Sequence, residues 1–302
     1  MGKKRPRAKK VNSDDEDDNE AKKTKGKIVE KTNSKRTSAL DSLPPPIFSK
    51  WEIIKNFWKG EPGQDPVSDE LKITRKNLGI LAKGNLAVCP PPILTINGPE
   101  IPEEFTKILS SMGVVKPSPI QMQAWPAILS GGNILGIAPA GSGKTLAYGL
   151  PLIPHVLEQM KNHYHNRSPV AVVLVPVREL TQQIASALLP LRRFCHIRTV
   201  AVHGGQNKEE QVEALDAGAQ IVIATPGRLI DLLSSKSINL DSTTYLVLDE
   251  ADRMLSIGFE PQIDMICGRI RPDRQTLLFS ATFPGSLREA ANRYAASLPA
   301  FS

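Results

Sequence analysis

An α/β fold, a mostly parallel sheet with helices on both faces, is what this sequence predicts, and three observations lead there. Six apolar runs of five or six residues recur between residues 134 and 280. Helix-length amphipathic stretches separate them, and strands alternating with helices demand crossover connections and hence parallel pairing. The residues with chemistry to offer lie just after the runs, at the carboxyl ends of the strands, where such sheets carry their ligand sites.

The chain begins differently. Residues 1–36 hold 13 Lys/Arg and 7 Asp/Glu in serial blocks, KKRPRAKK (3–10) and then DDEDD (14–18). A segment so poor in apolar side chains cannot offset its ordering entropy, so a disordered charged tail is expected. Its basic block resembles a nuclear-import or nonspecific nucleic-acid patch; a merely solubilising tail is the alternative. Residues 37–92 read as a partly ordered N-terminal extension. From Leu43, LPPPIFSKWEIIKNFWKGEPGQDP sets a proline run and two tryptophans, Trp51 and Trp58, before turn-forming residues. The 43–60 segment is expected to dock on the main body as a short helix with its aromatics packed there, or else to bind a protein partner.

Residues 93–302 are read as the main domain. Strands are expected at ILGIA (134–138), VAVVLV (170–175), RTVAV (198–202), QIVIAT (220–225), YLVLDE (245–250) and TLLFS (276–280). Helices are expected over roughly 144–160, 178–194, 206–216, 226–235, 259–270 and 285–297.

Charge, apolar runs and cysteines exclude several classes. The formal net charge is 38 − 31 = +7, of which the tail supplies 13 − 7 = +6, leaving +1 for residues 37–302. Bulk charge on the folded part therefore makes no case for a polyanionic partner. No run approaches the roughly 18 apolar residues of a membrane span, and no apolar stretch follows the N-terminal charges, so neither a membrane partner nor a signal peptide is expected. Cys89, Cys195 and Cys267 lie far apart, which excludes a disulfide scaffold and a zinc finger. His163 and His165, in the polar stretch KNHYHNRS without nearby carboxylates, are assigned no metal.

Two motifs carry chemistry. The run ILGIA leads into Pro139-Ala140-Gly141-Ser142-Gly143-Lys144-Thr145 and then a helix. Small residues let backbone N–H groups curl around phosphates, Lys144 reaches the terminal phosphates, and the Thr145 hydroxyl can ligate Mg²⁺. Ala138 stands where the strict pattern has its first glycine. The run YLVL ends in Asp249-Glu250-Ala251-Asp252. A carboxylate at the end of a neighbouring parallel strand gives a phosphate-bound Mg²⁺ a second anchor, and the carboxylate beside it can orient or deprotonate an attacking water.

With these motifs in place the chain resembles the DEAD-box RNA helicases, superfamily 2 ATPases whose ATP-binding half is a RecA-like domain of the P-loop NTPase type. KPSPIQ (116–121), APAGSGKT (138–145), PVREL (176–180), HGG (203–205), TPGR (225–228), DEAD (249–252) and SAT (280–282) follow in the family's order over residues 93–298. The resemblance implies ATP and Mg²⁺ as cofactors and RNA as a partner. It makes Gln121 the reader of the adenine edge and Ala140, Gly141, Ser142, Gly143, Lys144 and Thr145 the nucleotide cradle. Thr145 and, through water, Asp249 would hold the metal, and Glu250 would activate the hydrolytic water, with Asp249 and Lys144 completing the catalytic set. Arg178, Gly204, Gly205, Thr225, Gly227 and Arg228 match the motifs that grip RNA through its backbone, without sequence preference. Asp252, Ser280 and Thr282 would couple the nucleotide state to RNA handling. A lysine-rich tail before such a domain is similar to nuclear or nucleolar members in ribosome assembly; the cytoplasm is the alternative location, and a monomer is expected.

Departures from the family pattern set further expectations. Val114 and Ile96 stand where aromatics commonly meet the adenine, which should weaken nucleotide affinity by about 0.5–1.5 kcal/mol. Ala140 and Val177 each replace a threonine. After SAT the sequence runs FPGSLREAANRYAASLPAFS, and the motifs of the family's second RecA-like domain are absent from these 302 residues. The reading is therefore the ATP-binding half of a DEAD-box RNA helicase, hydrolysing ATP poorly by itself and separating strands in the two-domain form. The alternative is a one-domain RNA- or protein-binding adaptor or competitor without helicase activity.

Overall fold

The six apolar runs become strands because their faces find cover, both faces in the inner strands and one face in the edge strand at 199–202. Side chains alternate along a strand. Val173, Ile223, Val247 and Phe279 thus enter one core, while Val172, Val222, Leu246 and Leu278 enter a second on the opposite face. The computed structural model describes residues 43–48, 51–60, 68–84, 89–163, 168–295 and 300–301. The expectations for the tail 1–36 and for His165 fall outside these residues, as does the side chain of His163.

In chain order come α1 (Asp69–Asn77), β1 (Ala82–Lys83), α2 (Glu103–Ser111), α3 (Pro119–Leu129), β2 (Ile134–Ile137), α4 (Lys144–Gly149) and α5 (Leu152–His163). Then follow β3 (Ala171–Leu174), α6 (Arg178–Ala187), α7 (Leu189–Cys195), β4 (Thr199–Val202), α8 (Lys208–Asp216), β5 (Ile221–Ala224) and α9 (Pro226–Ser234). The last are β6 (Tyr245–Leu248), α10 (Ala251–Ser256), α11 (Glu260–Cys267), β7 (Gln275–Ser280), α12 (Gly285–Tyr294) and β8 (Ala300–Phe301). The sheet order is β1-β8-β2-β7-β6-β3-β5-β4, parallel throughout except for β1 against β8. Helices α2 to α7 cover one face and α8 to α12 the other.

Three expectations about the main domain need correction. The single helix expected over 144–160 is two, α4 and α5, because Pro151 has no N–H to give and the bond that would join them is missing, even though Leu150 keeps helical dihedrals (φ −71°, ψ −46°). The helix over 178–194 likewise breaks at Leu188, ahead of Pro190 in the first turn of α7. Strand β6 does not neighbour β2: β7 lies between them, so the strand that ends in Ser280 sits at the centre of the site.

The 43–60 segment forms no helix over its described residues. It is an extended strap, held by body side chains that capture its backbone carbonyls. Arg269 donates to Pro44 O (2.5 Å) and Leu43 O (3.3 Å), Arg271 to Trp51 O (2.7 Å), and Gln159 to Ile54 O (3.1 Å). The Trp51 ring lies 4.7 Å from the Arg271 guanidinium, a cation–π contact at a side chain only 3% exposed. Phe57 N–H bonds Leu129 O (2.6 Å) just before β2. These partners precede β2 and β7, so the strap crosses the amino-terminal edge of the sheet and leaves the carboxyl edge open.

Candidate functional site

The loop between β2 and α4 turns on Gly141 (φ +76°) and Gly143 (φ +90°), a region that side chains rarely tolerate. A Cβ on Gly143 would also collide with the Gln121 amide. Lys144 Nζ donates to Ala138 O (2.7 Å) and Pro139 O (3.0 Å), and Ser142 N–H to Pro139 O (3.3 Å). Loop carbonyls therefore hold the very donors that a phosphate would take over. The loop opens on a cleft of about 520 Å³ lined by Ala140, Gly141, Gly143, Lys144, Thr145, Asp249, Glu250, Asp252 and Arg253. Ser142 lines a separate apolar cavity of about 210 Å³ with Ile80, Pro119 and Ile137, so its part in the cradle reduces to its backbone.

Gln121 is braced within the protein. Its Oε1 accepts from Ser118 N–H (3.0 Å) and its Nε2 donates to Gly143 O (3.0 Å), which leaves one N–H and one lone pair for an adenine edge.

The acidic turn follows β6. Asp249 is 3% exposed; its Oδ2 accepts from the Tyr148 hydroxyl (2.9 Å) and its Oδ1 from Glu250 N–H (2.9 Å). Burial pushes the carboxyl up to about 6, against the opposing pull of the Tyr148 bond and the Lys144 charge. Glu250 adopts the left-handed conformation (φ +53°, ψ +46°), which costs a non-glycine residue about 1–2 kcal/mol. Strain of that kind persists at turns whose surroundings over-determine it. The Glu250 carboxylate meets Arg253 (3.1 Å).

Asp252 joins the turn to β7. Its Oδ2 accepts from the Thr282 N–H (3.0 Å) and hydroxyl (2.6 Å), while Ser280 Oγ donates to Thr282 O (2.8 Å). On the other side Ala138 N–H donates to Ser280 O (3.0 Å). The end of β7 is thus hydrogen-bonded to the phosphate loop and the acidic turn at once. The three residues expected to couple, Asp252, Ser280 and Thr282, are brought together.

Further along the carboxyl edge, past β3, lies the second group of expected residues. Arg178 opens α6, Gly204 and Gly205 follow β4, and Thr225 precedes Gly227 and Arg228 in the first turn of α9. The 204–206 loop touches both arginines: Arg178 NH1 lies 3.3 Å from a Cβ placed on Gly205, and Arg228 NH2 donates to Gln206 O (3.1 Å). Arg178 also pairs with the exposed Glu179 (2.6 Å), and Arg228 NH1 is buried without a hydrogen-bond partner among the described residues. Helix α6 spans the two groups, since Leu180 and Gln183 line the nucleotide-side cleft while Arg178 faces Gly205.

A divalent cation fits this set of oxygens. The described residues contain no group of three or more His, Cys, Asp and Glu able to cage a metal. Mg²⁺ does not need one; it takes one or two protein oxygens and completes its shell with phosphates and waters. Thr145 and Asp249 line the same cleft, and the buried Asp249 carboxylate carries the charge such an ion would neutralise.

Free of metal and nucleotide, Asp249→Asn is expected to be more stable than the parent at pH 7. The native carboxyl titrates near 6 and an unfolded one near 3.9, so between these values the native state binds more protons and its stability falls as pH rises. The loss is complete above pH 6, where asparagine would recover up to about 3 kcal/mol. Thermal melts should show that gap at pH 7 and its closure below about pH 4; an equal gap at both would contradict it.

A family model for the DEAD/DEAH box helicases matches residues 118–290, from the helix carrying Gln121 to beyond Thr282. The chain belongs to that family. This DEAD/DEAH box helicase domain is 44% identical over 256 residues to the ATP-dependent RNA helicase DBP2 of Candida albicans, covering 84% of the chain and 44% of that relative. It is 41% identical over 270 residues to the probable ATP-dependent RNA helicase DDX17 of Mus musculus, covering 83% and 41%. Among solved structures, the RNA-helicase Prp28 from Chaetomium thermophilum bound to ADP superposes with a TM-score of 0.69 at 32% identity, over 83% of this chain and 59% of that one. The helicase domain described here thus spans less than half the length of these two curated relatives.

Sequence reasoning missed Tyr148 and Arg253, which touch the two candidate catalytic carboxylates. Tyr148 had a signal, its position one helical turn after Thr145. The partnership of His203 with Gln211 (3.2 and 3.0 Å), which holds the backbone before Gly204, had none.

Proposed function

We propose that this domain is the ATP-binding half of a DEAD-box RNA helicase, in which Mg²⁺-ATP controls a grip on the RNA backbone and strands separate locally in a two-domain form. The observation that carries the reading is the continuous hydrogen-bonded path from Ala138 through Ser280 and Thr282 to Asp252, beside a helix that spans both ligand-facing groups. The nucleotide state can thereby reach the acidic turn and α6.

The loop N–H groups and Lys144 would hold the phosphates, and Gln121 the adenine edge. Thr145 and Asp249 would hold Mg²⁺, which supplies Lewis-acid neutralisation of phosphate charge when bound. Glu250, placed by its left-handed turn beside Asp249, would orient the attacking water and take its proton. Arg178, Gly204, Gly205, Thr225, Gly227 and Arg228 would receive RNA phosphates and 2′-hydroxyls: the glycines allow close approach, and the Arg228 guanidinium keeps one nitrogen without a hydrogen-bond partner among the described residues.

The test is anisotropy of a short labelled single-stranded RNA across a salt series, with a nonhydrolysable ATP analogue present. Arg228→Ala should weaken binding equally for unrelated sequences and flatten the salt slope by about 0.7 for one lost phosphate contact. Unchanged affinity and slope would remove Arg228 from the interface and the RNA reading with it.

A further inference from the structure

Tyr148 is fully buried and has no part in the chemistry so far. It follows Thr145 by one turn of α4, so the two side chains share a face. The Tyr148 hydroxyl donates to Asp249 Oδ2 at 2.9 Å, across 101 residues of sequence, and the Thr145 side chain on the same helix face lies within reach of that phenol. The ring packs against Phe279 with centroids 5.3 Å apart, and its backbone carbonyl accepts from the Tyr245 hydroxyl (3.3 Å). The phenol cannot swing away without disturbing the core.

The arrangement solves an orientation problem. A hydroxyl meets a cation through an oxygen lone pair, so its proton must point elsewhere. Here Thr145 can give its proton to the Tyr148 oxygen, and Tyr148 gives its own to Asp249. Since Glu250 N–H holds the other carboxylate oxygen, the plane of Asp249 is set from both ends. Lone pairs on Thr145 and Asp249 are then free for the cleft.

We propose that Tyr148 is a positioning residue for the divalent cation, its hydroxyl orienting Thr145 and Asp249 as a pair. The proposal rests on the reading of those two as metal anchors, and its test separates the two ideas. The full 302-residue chain is titrated with a fluorescent ADP analogue in Mg²⁺ and in EDTA, and the ratio of the two affinities is the readout, with no turnover involved. Tyr148→Phe keeps the ring against Phe279. It should bind as well as the parent in EDTA while its Mg²⁺ gain falls roughly tenfold or more, as happens when a partner of a metal ligand is removed.

Asp249→Asn is measured alongside. Loss of the gain in Asp249→Asn with full retention in Tyr148→Phe overturns the positioning role and leaves the anchors standing. Retention in both overturns both readings. A merely structural Tyr148 would lower the melting temperature and the EDTA affinity together while preserving the Mg²⁺ gain, which also overturns the proposal. If Tyr148→Phe does not fold, Tyr148→Met fills the slot without a hydroxyl and is judged by the same outcomes.

Discussion

Glu250→Gln should bind Mg²⁺-ATP within about twofold of the parent and hydrolyse it roughly 10²- to 10⁴-fold more slowly, the range removed with a general base. Glutamine keeps the length and shape of the side chain, so the left-handed turn at φ +53° is no more strained than before. What is lost structurally is the ion pair to Arg253, in which the side chains are 33% and 55% exposed. Pairs that open to solvent contribute about 0.2–1 kcal/mol at most. Asp249 keeps both of its hydrogen bonds, because the bond from residue 250 comes from its backbone. Single-turnover hydrolysis beside a nucleotide titration reads the two effects separately. If binding and rate fell by the same factor, Glu250 would be a ligand to the metal or phosphate rather than the base.

A larger effect is expected from joining this domain to a second one. RNA-stimulated hydrolysis by the 302-residue polypeptide should rise on the order of 10³- to 10⁵-fold when it is fused to the second RecA-like domain of a DEAD-box relative, the range an arginine finger supplies in other phosphoryl-transfer enzymes. The reason lies in the cations of the cleft. Lys144 and Arg253 are the basic residues lining it, and Arg253 is engaged by Glu250. Negative charge spreads over the equatorial oxygens of the transferring phosphoryl group, and Lys144 alone covers a fraction of them. Steady-state ATPase assays with saturating single-stranded RNA make the comparison. A rate from the 302 residues alone that equals the fusion would refute the need for a second domain.

Both experiments concern residues whose local setting was legible in the sequence. The inner strands could be read because a parallel strand buried on both faces is a continuous apolar run, as in AVVL of β3 or YLVL of β6. The phosphate loop was legible for a similar reason: strand, small residues, lysine and helix are contiguous, and their spacing sets their geometry. The breaks at Pro151 and Pro190 were not read, because amphipathic periodicity ran through them, although proline's missing N–H is a local signal that could have marked them. The strap at 43–60 was not. Its form depends on Arg269, Arg271 and Gln159 capturing its carbonyls from more than 100 residues away, and no local pattern reports an acceptor's remote donor.

By itself, then, the sequence determined the fold class, the family and the residues with chemistry to offer, because each depends on neighbours along the chain. Only the tertiary structure decided how those residues meet. It set β7 between β2 and β6, so that Ser280 bonds the phosphate loop while Thr282 bonds Asp252, and it brought the Tyr148 hydroxyl onto Asp249. Strand order and buried hydrogen bonds are choices among non-local pairings, settled by which packing covers both faces of the sheet and leaves few buried polar groups unsatisfied.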